Sequence, residues 1–291
     1  MTTPNEAQPE LAKALELHEL YFKREDLHPY GSHKGRSIPV MMEKYLNEGI
    51  KNFGISSSGN AAIAAALFAA AYNKKNTEPI TLTIFIGKKI NAAKLEKIKS
   101  LASEHITVNH AERPLQSLFN LTQDGTVKGL RQSNDDTALI GYESLAEELA
   151  QIPNLKAVFI PTSSGTTAQA LAQSFNKLGK KIEIHVVQTM SCHPIAETFT
   201  ERMHTDEVSI ADAIVDHVGI RKTALSALIE ESSGGGYIAT NEEIGSAVSL
   251  SEKTTGISLS PNSALSLAGL MQAIYTGKKW DGAVVCLITG A

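Results

Sequence analysis

The chain is poor in cysteine, in aromatic side chains and in any surplus of one charge. Only Cys192 and Cys286 occur, far apart and in no CxxC arrangement. A disulfide framework and a cysteine zinc site are therefore not expected, and a reducing cytoplasm is the expected compartment. The net charge of −4 comes from 27 basic and 31 acidic side chains. No broad cationic face follows from that balance, so neither nucleic acid nor a membrane surface is an expected partner. The longest apolar run, Ala61 to Tyr72, is shorter than the about 20 residues that a bilayer-spanning helix needs. The opening MTTPNEAQPE has no basic segment followed by an apolar one, so no signal peptide is expected. The nine histidines form no HxH or HExxH pattern, and GxSxG and GxGxxG do not occur. No metal site is expected, and neither a hydrolase elbow nor a dinucleotide loop is indicated.

What is present suits a full core. Hydrophobic residues make up 42% of the 291 residues and charged residues 20%, enough for one large domain or two modest ones. After a polar tail over Met1 to Glu10, short β-rich runs alternate with helical patterns. The strand candidates are 20–23, 53–55, 80–86, 106–108, 157–160, 182–187 and 283–288. The helix candidates are 34–47, 60–72, 91–103, 143–150, 166–178, 222–231, 241–253 and 262–275. ITLTIFI and AVVCLI are almost wholly apolar or β-branched, as strands covered on both faces are. The alternation predicts an α/β fold of right-handed βαβ units around mostly parallel sheets flanked by helices. The SSGGG run at Ser232–Gly236 reads as a helix stop and a turn.

Sites in such folds lie beyond the C-terminal ends of strands. Three turns there carry chemistry. Ser56-Ser57-Ser58-Gly59-Asn60 leads into an alanine-rich helix, and helix starts collect N–H donors that cap locally or bind anions. Pro161-Thr162-Ser163-Ser164-Gly165-Thr166-Thr167 repeats the strand-to-helix arrangement with five hydroxyls and no lysine. It suits a phosphate dianion held by neutral donors, or an ordinary cap. In His28-Pro29-Tyr30-Gly31-Ser32-His33-Lys34 a turn delivers Lys34 to the start of a helix. The dipole there disfavours the charged amine, and a neutral amine attacks carbonyls; a solvated surface lysine is the other reading. Thr289 ends the last strand, where it can meet a ring nitrogen or serve simply as a β-favouring residue. His217, Arg221 and Lys222 in DHVGIRK fit either a second anion or a solvated loop.

KREDLHPYGSHKGR, SSSGNAAIAAA, GYESLAEELAQ, PTSSGTTAQA, PNSALSLAGL and CLITG occur in that order. Together they resemble the fold-type II pyridoxal-phosphate enzymes of the tryptophan synthase β superfamily, most of all threonine synthase and its relatives. The resemblance runs from about Leu20 to Thr289. It implies a two-lobed architecture, with 1–45 and 147–291 as the larger, cofactor-anchoring domain and 46–146 as an inserted smaller one. It implies pyridoxal 5'-phosphate as cofactor, with Lys34 as the Schiff-base lysine and Asn60 on the 3′-oxygen. Ser163, Ser164, Gly165, Thr166 and Thr167 are implied as the phosphate cup, and Thr289 faces the pyridine nitrogen. Ser57, Ser58, Gly59 and Asn60 are implied to hold the substrate. The implied activity is elimination or replacement at the β or γ carbon of a small amino acid, threonine-synthase-like. Serine/threonine ammonia-lyase and cysteine-synthase-like activities are the alternatives, and a homodimer is implied. Ser260-Pro261-Asn262-Ser263 stands where many relatives have Glu-Pro-Ser-Ser. That lost carboxylate motivates a further alternative, a non-catalytic protein that binds the cofactor or another phosphate ligand.

Overall fold

The computed structural model describes residues 2–88, 90, 92–201 and 208–290. Asn91, the expected first residue of one helix, lies outside them, as does Met1. The strands are β1 (Asn5–Ala7), β2 (Glu19–Arg24), β3 (Asn52–Ser56), β4 (Thr81–Ile86), β5 (Ile106–His110), β6 (Lys128–Gly129), β7 (Leu155–Pro161), β8 (Glu183–Thr189), β9 (Gly235–Ala239) and β10 (Ala283–Ile288). The helices are α1 (Pro9–Ala14), α2 (Lys34–Asn47), α3 (Asn60–Lys75), α4 (Ala92–Ser100), α5 (Pro114–Leu121), α6 (Thr137–Ile140), α7 (Glu143–Leu149), α8 (Thr166–Lys177), α9 (Lys222–Glu231), α10 (Asn241–Thr255) and α11 (Pro261–Tyr275). This is the α/β class that the alternating pattern predicts. Every strand and helix expected from that pattern is present, with ends moved by a few residues.

The chain divides into two compact units, Met1–His28 with Tyr142–Ala291, and Pro29–Gly141. The sequence reading placed the first crossing near residue 45; here it lies at His28 and Pro29. The reason is packing, because α2 lies against α3 and α6, and the Ser37 hydroxyl donates to the Ala138 carbonyl.

The first unit is built on a six-stranded sheet of order β1-β2-β10-β7-β8-β9. All neighbours are parallel except β1, which runs antiparallel to β2. The last strand in sequence, β10, takes a central place between β2 and β7, and all six of its residues are buried. Helix α11 covers β7, β8, β9 and β10. The second unit holds a wholly parallel sheet of order β5-β4-β3-β6. Its core joins Phe53, Ile55, Leu82, Ile84 and Ile86 to the alanine-rich face of α3.

Two expectations are corrected. The polar tail is not a tail: Asn5 to Ala7 pair with Lys23 to Tyr21, and α1 begins at Pro9. Its polar residues have distant partners. The fully buried Lys23 amine donates to the Thr3 carbonyl at 2.7 Å and to Glu148 at 2.5 Å. The SSGGG run does stop α9, but Gly235 already belongs to β9. A Cβ at Gly234 would stand 2.0 Å from the Ile184 carbonyl oxygen, and one at Gly236 2.8 Å from the Ala196 Cα. The expected turn is present at Ser232 and Ser233, while Gly234 permits close approach to β8 and Gly236 close approach to the segment at Ala196.

Helix packing gives a test with two signs. A Cβ at Gly269 in α11 would lie 2.3 Å from Val187 Cγ2 of β8, whereas one at Gly245 in α10 meets nothing within 4 Å. Gly269→Ala should destabilise by about 1–3 kcal/mol. Gly245→Ala should stabilise by about 0.5–1 kcal/mol. Thermal melting of the two variants checks both; a Gly269→Ala protein as stable as the parent contradicts this packing.

Candidate active site

In the Pro29–Gly141 unit, Gly31 takes φ +77, a left-handed turn that a glycine enters without strain, and α2 starts three residues later at Lys34. Lys34 is only partly exposed. Among the described residues nothing hydrogen-bonds or ion-pairs with its amine. Burial lowers its pKa from 10.5 to about 8. The sequence reading ascribed that shift to the helix dipole; the cause is the loss of water around a charge. Two residues earlier, the Ser32 hydroxyl is fully buried and has no hydrogen-bond partner among the described residues. Sequence reasoning did not single it out.

Strand β3 ends at Ser56, and α3 begins at Asn60. Gly59 is the N-cap, no side chain caps the helix, and the Gly59 N–H donates to Ser57 Oγ at 3.2 Å. Ser57, Ser58, Gly59 and Asn60 all keep partial exposure. They form a helix start whose leading N–H groups no side chain caps, the arrangement that receives carboxylates.

In the other unit, β7 ends at Pro161 and α8 begins at Thr166. Gly165 is the N-cap at φ +87, again without a side-chain cap. A Cβ there would meet Leu225 Cδ2 at 2.8 Å and Ile195 Cδ1 at 3.0 Å. Glycine is thus required by both conformation and space. Ser164 Oγ and Thr166 Oγ1 are 2.9 Å apart, and Thr166 and Thr167 are buried. Ser163 differs from its fellows. Its Oγ accepts the N–H groups of Val215 and Asp216 at 3.1 and 3.2 Å. The acceptor side of this hydroxyl is engaged in structure, which leaves its proton to donate.

The parallel pairing of β7 and β10 aligns Phe159 with Cys286. Thr289 therefore leaves the sheet beside Thr162, so the turn and the last hydroxyl share one sheet edge. Ser260 and Ser263 both donate to the Gly290 carbonyl, at 2.8 and 3.0 Å. The segment that lacks the carboxylate thus ties down the end of β10.

Arg221 is buried, against the reading of a solvated loop, and its Nη1 donates to Gln169 Oε1 at 3.1 Å. His217 is exposed, and Lys222 pairs with Glu197 at 2.7 Å. Burial, then the charge of Asp216, pushes the Cys192 thiol up to about 11, and burial pushes Cys286 up as well. Neither thiol is poised as a nucleophile. Among the described residues no group of three or more His, Cys, Asp and Glu is placed to hold a metal ion. Among them, too, no helix is long and apolar enough to cross a membrane.

Residues 2–290 match the family model described as pyridoxal-phosphate dependent enzyme. The chain is 27% identical to a threonine synthase of Methanocaldococcus jannaschii over 300 residues, covering 96% of this chain and 72% of that protein. It is 28% identical to a threonine synthase of Methanosarcina acetivorans over 303 residues, with the same coverage. Among solved structures, maize serine racemase aligns with a TM-score of 0.83 at 18% identity, covering 99% of this chain and 87% of that one. The processed form of threonine deaminase isoform 2 from Solanum lycopersicum aligns at 0.81 and 20% identity, covering 100% and 84%. At these identities the structures show a shared fold.

The Lys34 amine is open to direct measurement. Pulse labelling with a small acylating reagent should modify it half-maximally near pH 8, the pKa that burial sets, while ordinary surface lysines respond near their usual, higher range. Between pH 8 and 10.5 the folded chain releases this proton before the unfolded chain does, so its contribution to stability rises with pH across that window. Lys34→Met should flatten that part of the stability profile. A labelling curve like that of an exposed lysine overturns the assignment of a desolvated amine.

Proposed function

Because the chain belongs to the pyridoxal-phosphate dependent enzymes, we propose that Lys34 is its covalent cofactor anchor and that it acts on a small amino acid carrying a β or γ leaving group. The observation that carries the proposal is the Lys34 amine, unpaired among the described residues and held near pKa 8 by burial. A neutral amine is what forms a bond to an aldehyde carbon, and the same amine, once released, can take and return an α-proton. The relatives that cover most of this chain are threonine synthases, which favours the threonine-synthase-like reading within this reaction class.

The residues present fit the cofactor. Two helix starts lack side-chain caps and have glycine at the N-cap, and a fully buried Ser32 hydroxyl lacks a partner among the described residues. The cofactor supplies an electron sink at the substrate α-carbon. Gly165, Ser164, Thr166 and Thr167, with the Ser163 proton, would hold the phosphate through neutral donors and the dipole of α8. Ser57, Ser58 and Gly59 at the start of α3 would hold a substrate carboxylate, and Asn60 would orient the cofactor's ring oxygen. Thr289 would place a hydroxyl at the pyridine nitrogen. A hydroxyl is far less able than a carboxylate to keep that nitrogen protonated, which suits prompt departure of a leaving group. Elimination removes the α-proton and the leaving group and ends, after addition of water, in a 2-oxo acid and ammonia; replacement adds water or a thiol instead. The same reading makes the protein a cytoplasmic homodimer.

Reduction of the loaded protein with borohydride should fix the cofactor on the peptide that contains Lys34. Lys34→Ala should lose that label and lower turnover by about 10²–10⁴-fold or more. A panel of amino acids with hydroxyl, acyl-ester or phosphate-ester groups at the β or γ carbon separates the reactions. Keto acid and ammonia mark elimination, and a new amino acid marks replacement. Substrate binding without any product would leave a cofactor-binding protein, and a label that survives Lys34→Ala overturns the anchor.

A further inference from the structure

Strand β8 is buried from Ile184 to Thr189, yet its next-to-last residue is a glutamine. Gln188 is fully buried, and a buried carboxamide persists only where its hydrogen bonds are met. Its partners are three. Oε1 accepts the backbone N–H groups of Ile195 and Ala196, each at 2.8 Å. Nε2 donates to the Ser163 carbonyl at 3.2 Å. One side chain thus clamps two separate segments, the turn before α8 and the segment 195–196.

These segments meet again at Gly165. The Ile195 side chain, whose own backbone N–H is held by Gln188, forms part of the floor beneath Gly165, 3.0 Å from where a Cβ would stand. Leu225 completes the floor at 2.8 Å. The Ser163 hydroxyl is held separately, by the N–H groups of Val215 and Asp216. The carbonyl of Ser163, its hydroxyl and the space under Gly165 are therefore each set by a distinct contact, and two of the three trace to Gln188.

We infer that Gln188 is the positioning residue of the 163–167 turn: its carboxamide fixes the turn in the shape that receives a phosphate. Fully buried and engaged by residues 163, 195 and 196, it would act through the turn. The inference rests on the proposal above that this turn holds the cofactor phosphate. Without the carboxamide, the 195–196 N–H pair loses its acceptor and the Ser163 carbonyl loses its donor. The turn can then relax away from Gly165, and the phosphate loses aligned donors.

The test compares the affinities of the full-length apoprotein for pyridoxal phosphate and for pyridoxal, the same aldehyde without the phosphate. Gln188→Met removes all three hydrogen bonds at similar volume. Gln188→Glu keeps an acceptor for residues 195 and 196 but sets an oxygen against the Ser163 carbonyl. Gln188→Met should weaken pyridoxal phosphate by about 10- to 100-fold and change pyridoxal by less than about threefold, within the scatter of one lost neutral contact. Gln188→Glu should show the same phosphate-selective loss, and it decides the question if Gln188→Met fails to fold. Gly165→Ala serves as the reference for the turn itself. If Gly165→Ala is phosphate-selective while the Gln188 variants weaken both ligands equally, or neither, the role of Gln188 is overturned and the turn keeps its assignment. If Gly165→Ala shows no selectivity, the phosphate assignment of the turn fails, and this inference fails with it.

Discussion

Parallel pairing makes neighbouring strands leave a sheet at the same edge, and the candidate groups at 57–60, 162–167 and 289 depend on that constraint. In the larger unit, β7, β8 and β10 run side by side in one direction. The 162–167 turn, Gln188 and Thr289 are therefore neighbours at one edge although they come from distant parts of the chain. In the smaller unit, β3 delivers Ser57 to Asn60 to the start of α3 by the same geometry. A helix that begins where a parallel strand ends brings its exposed N–H groups to that edge. Topology thus places N–H donors at that edge before any particular side chain is considered.

The helix starts are usable because they are left uncapped. Two helices carry side-chain caps: Thr240 and Glu243 form a reciprocal capping box on α10, and the Ser260 hydroxyl caps α11. At α3 and α8 glycine occupies the N-cap instead. A glycine gives up the side-chain cap bond at a cost of only about a few tenths of a kcal/mol and leaves donors for a ligand. Packing and buried hydrogen bonds then hold the loops in place. Gln188 and Ser163 do this for the turn before α8, while Lys23, Thr3 and Glu148 hold the amino-terminal strand.

Lys34 shows how burial readies an ordinary amine to give up its proton. A lysine in water is protonated at neutral pH and does not attack carbonyls. Burial without a carboxylate partner disfavours the charge, and the pKa falls to about 8. An ion pair of the kind that Lys23 makes with Glu148 would oppose this by favouring the charged form. The difference between these two lysines is therefore the presence or absence of a nearby anion.

The order of strands and helices was legible in the residues because it rests on local periodicity, and the turns with chemistry were legible because hydroxyls, glycines and a lysine cluster at strand ends. The sequence by itself determined the α/β class, the family motifs and the candidate residues at 34, 57–60, 163–167 and 289. Other features had no local signal. β1 is polar and three residues long, and β9 begins in a glycine run; both exist only because β2 and β8 offer them hydrogen-bonding partners. The engagement of Ser163 with residues 215 and 216, the burial of Arg221 and the clamp made by Gln188 join segments far apart in the chain. Tertiary structure alone decided them, since a hydrogen bond depends on distance in space and a pKa on the water that folding removes.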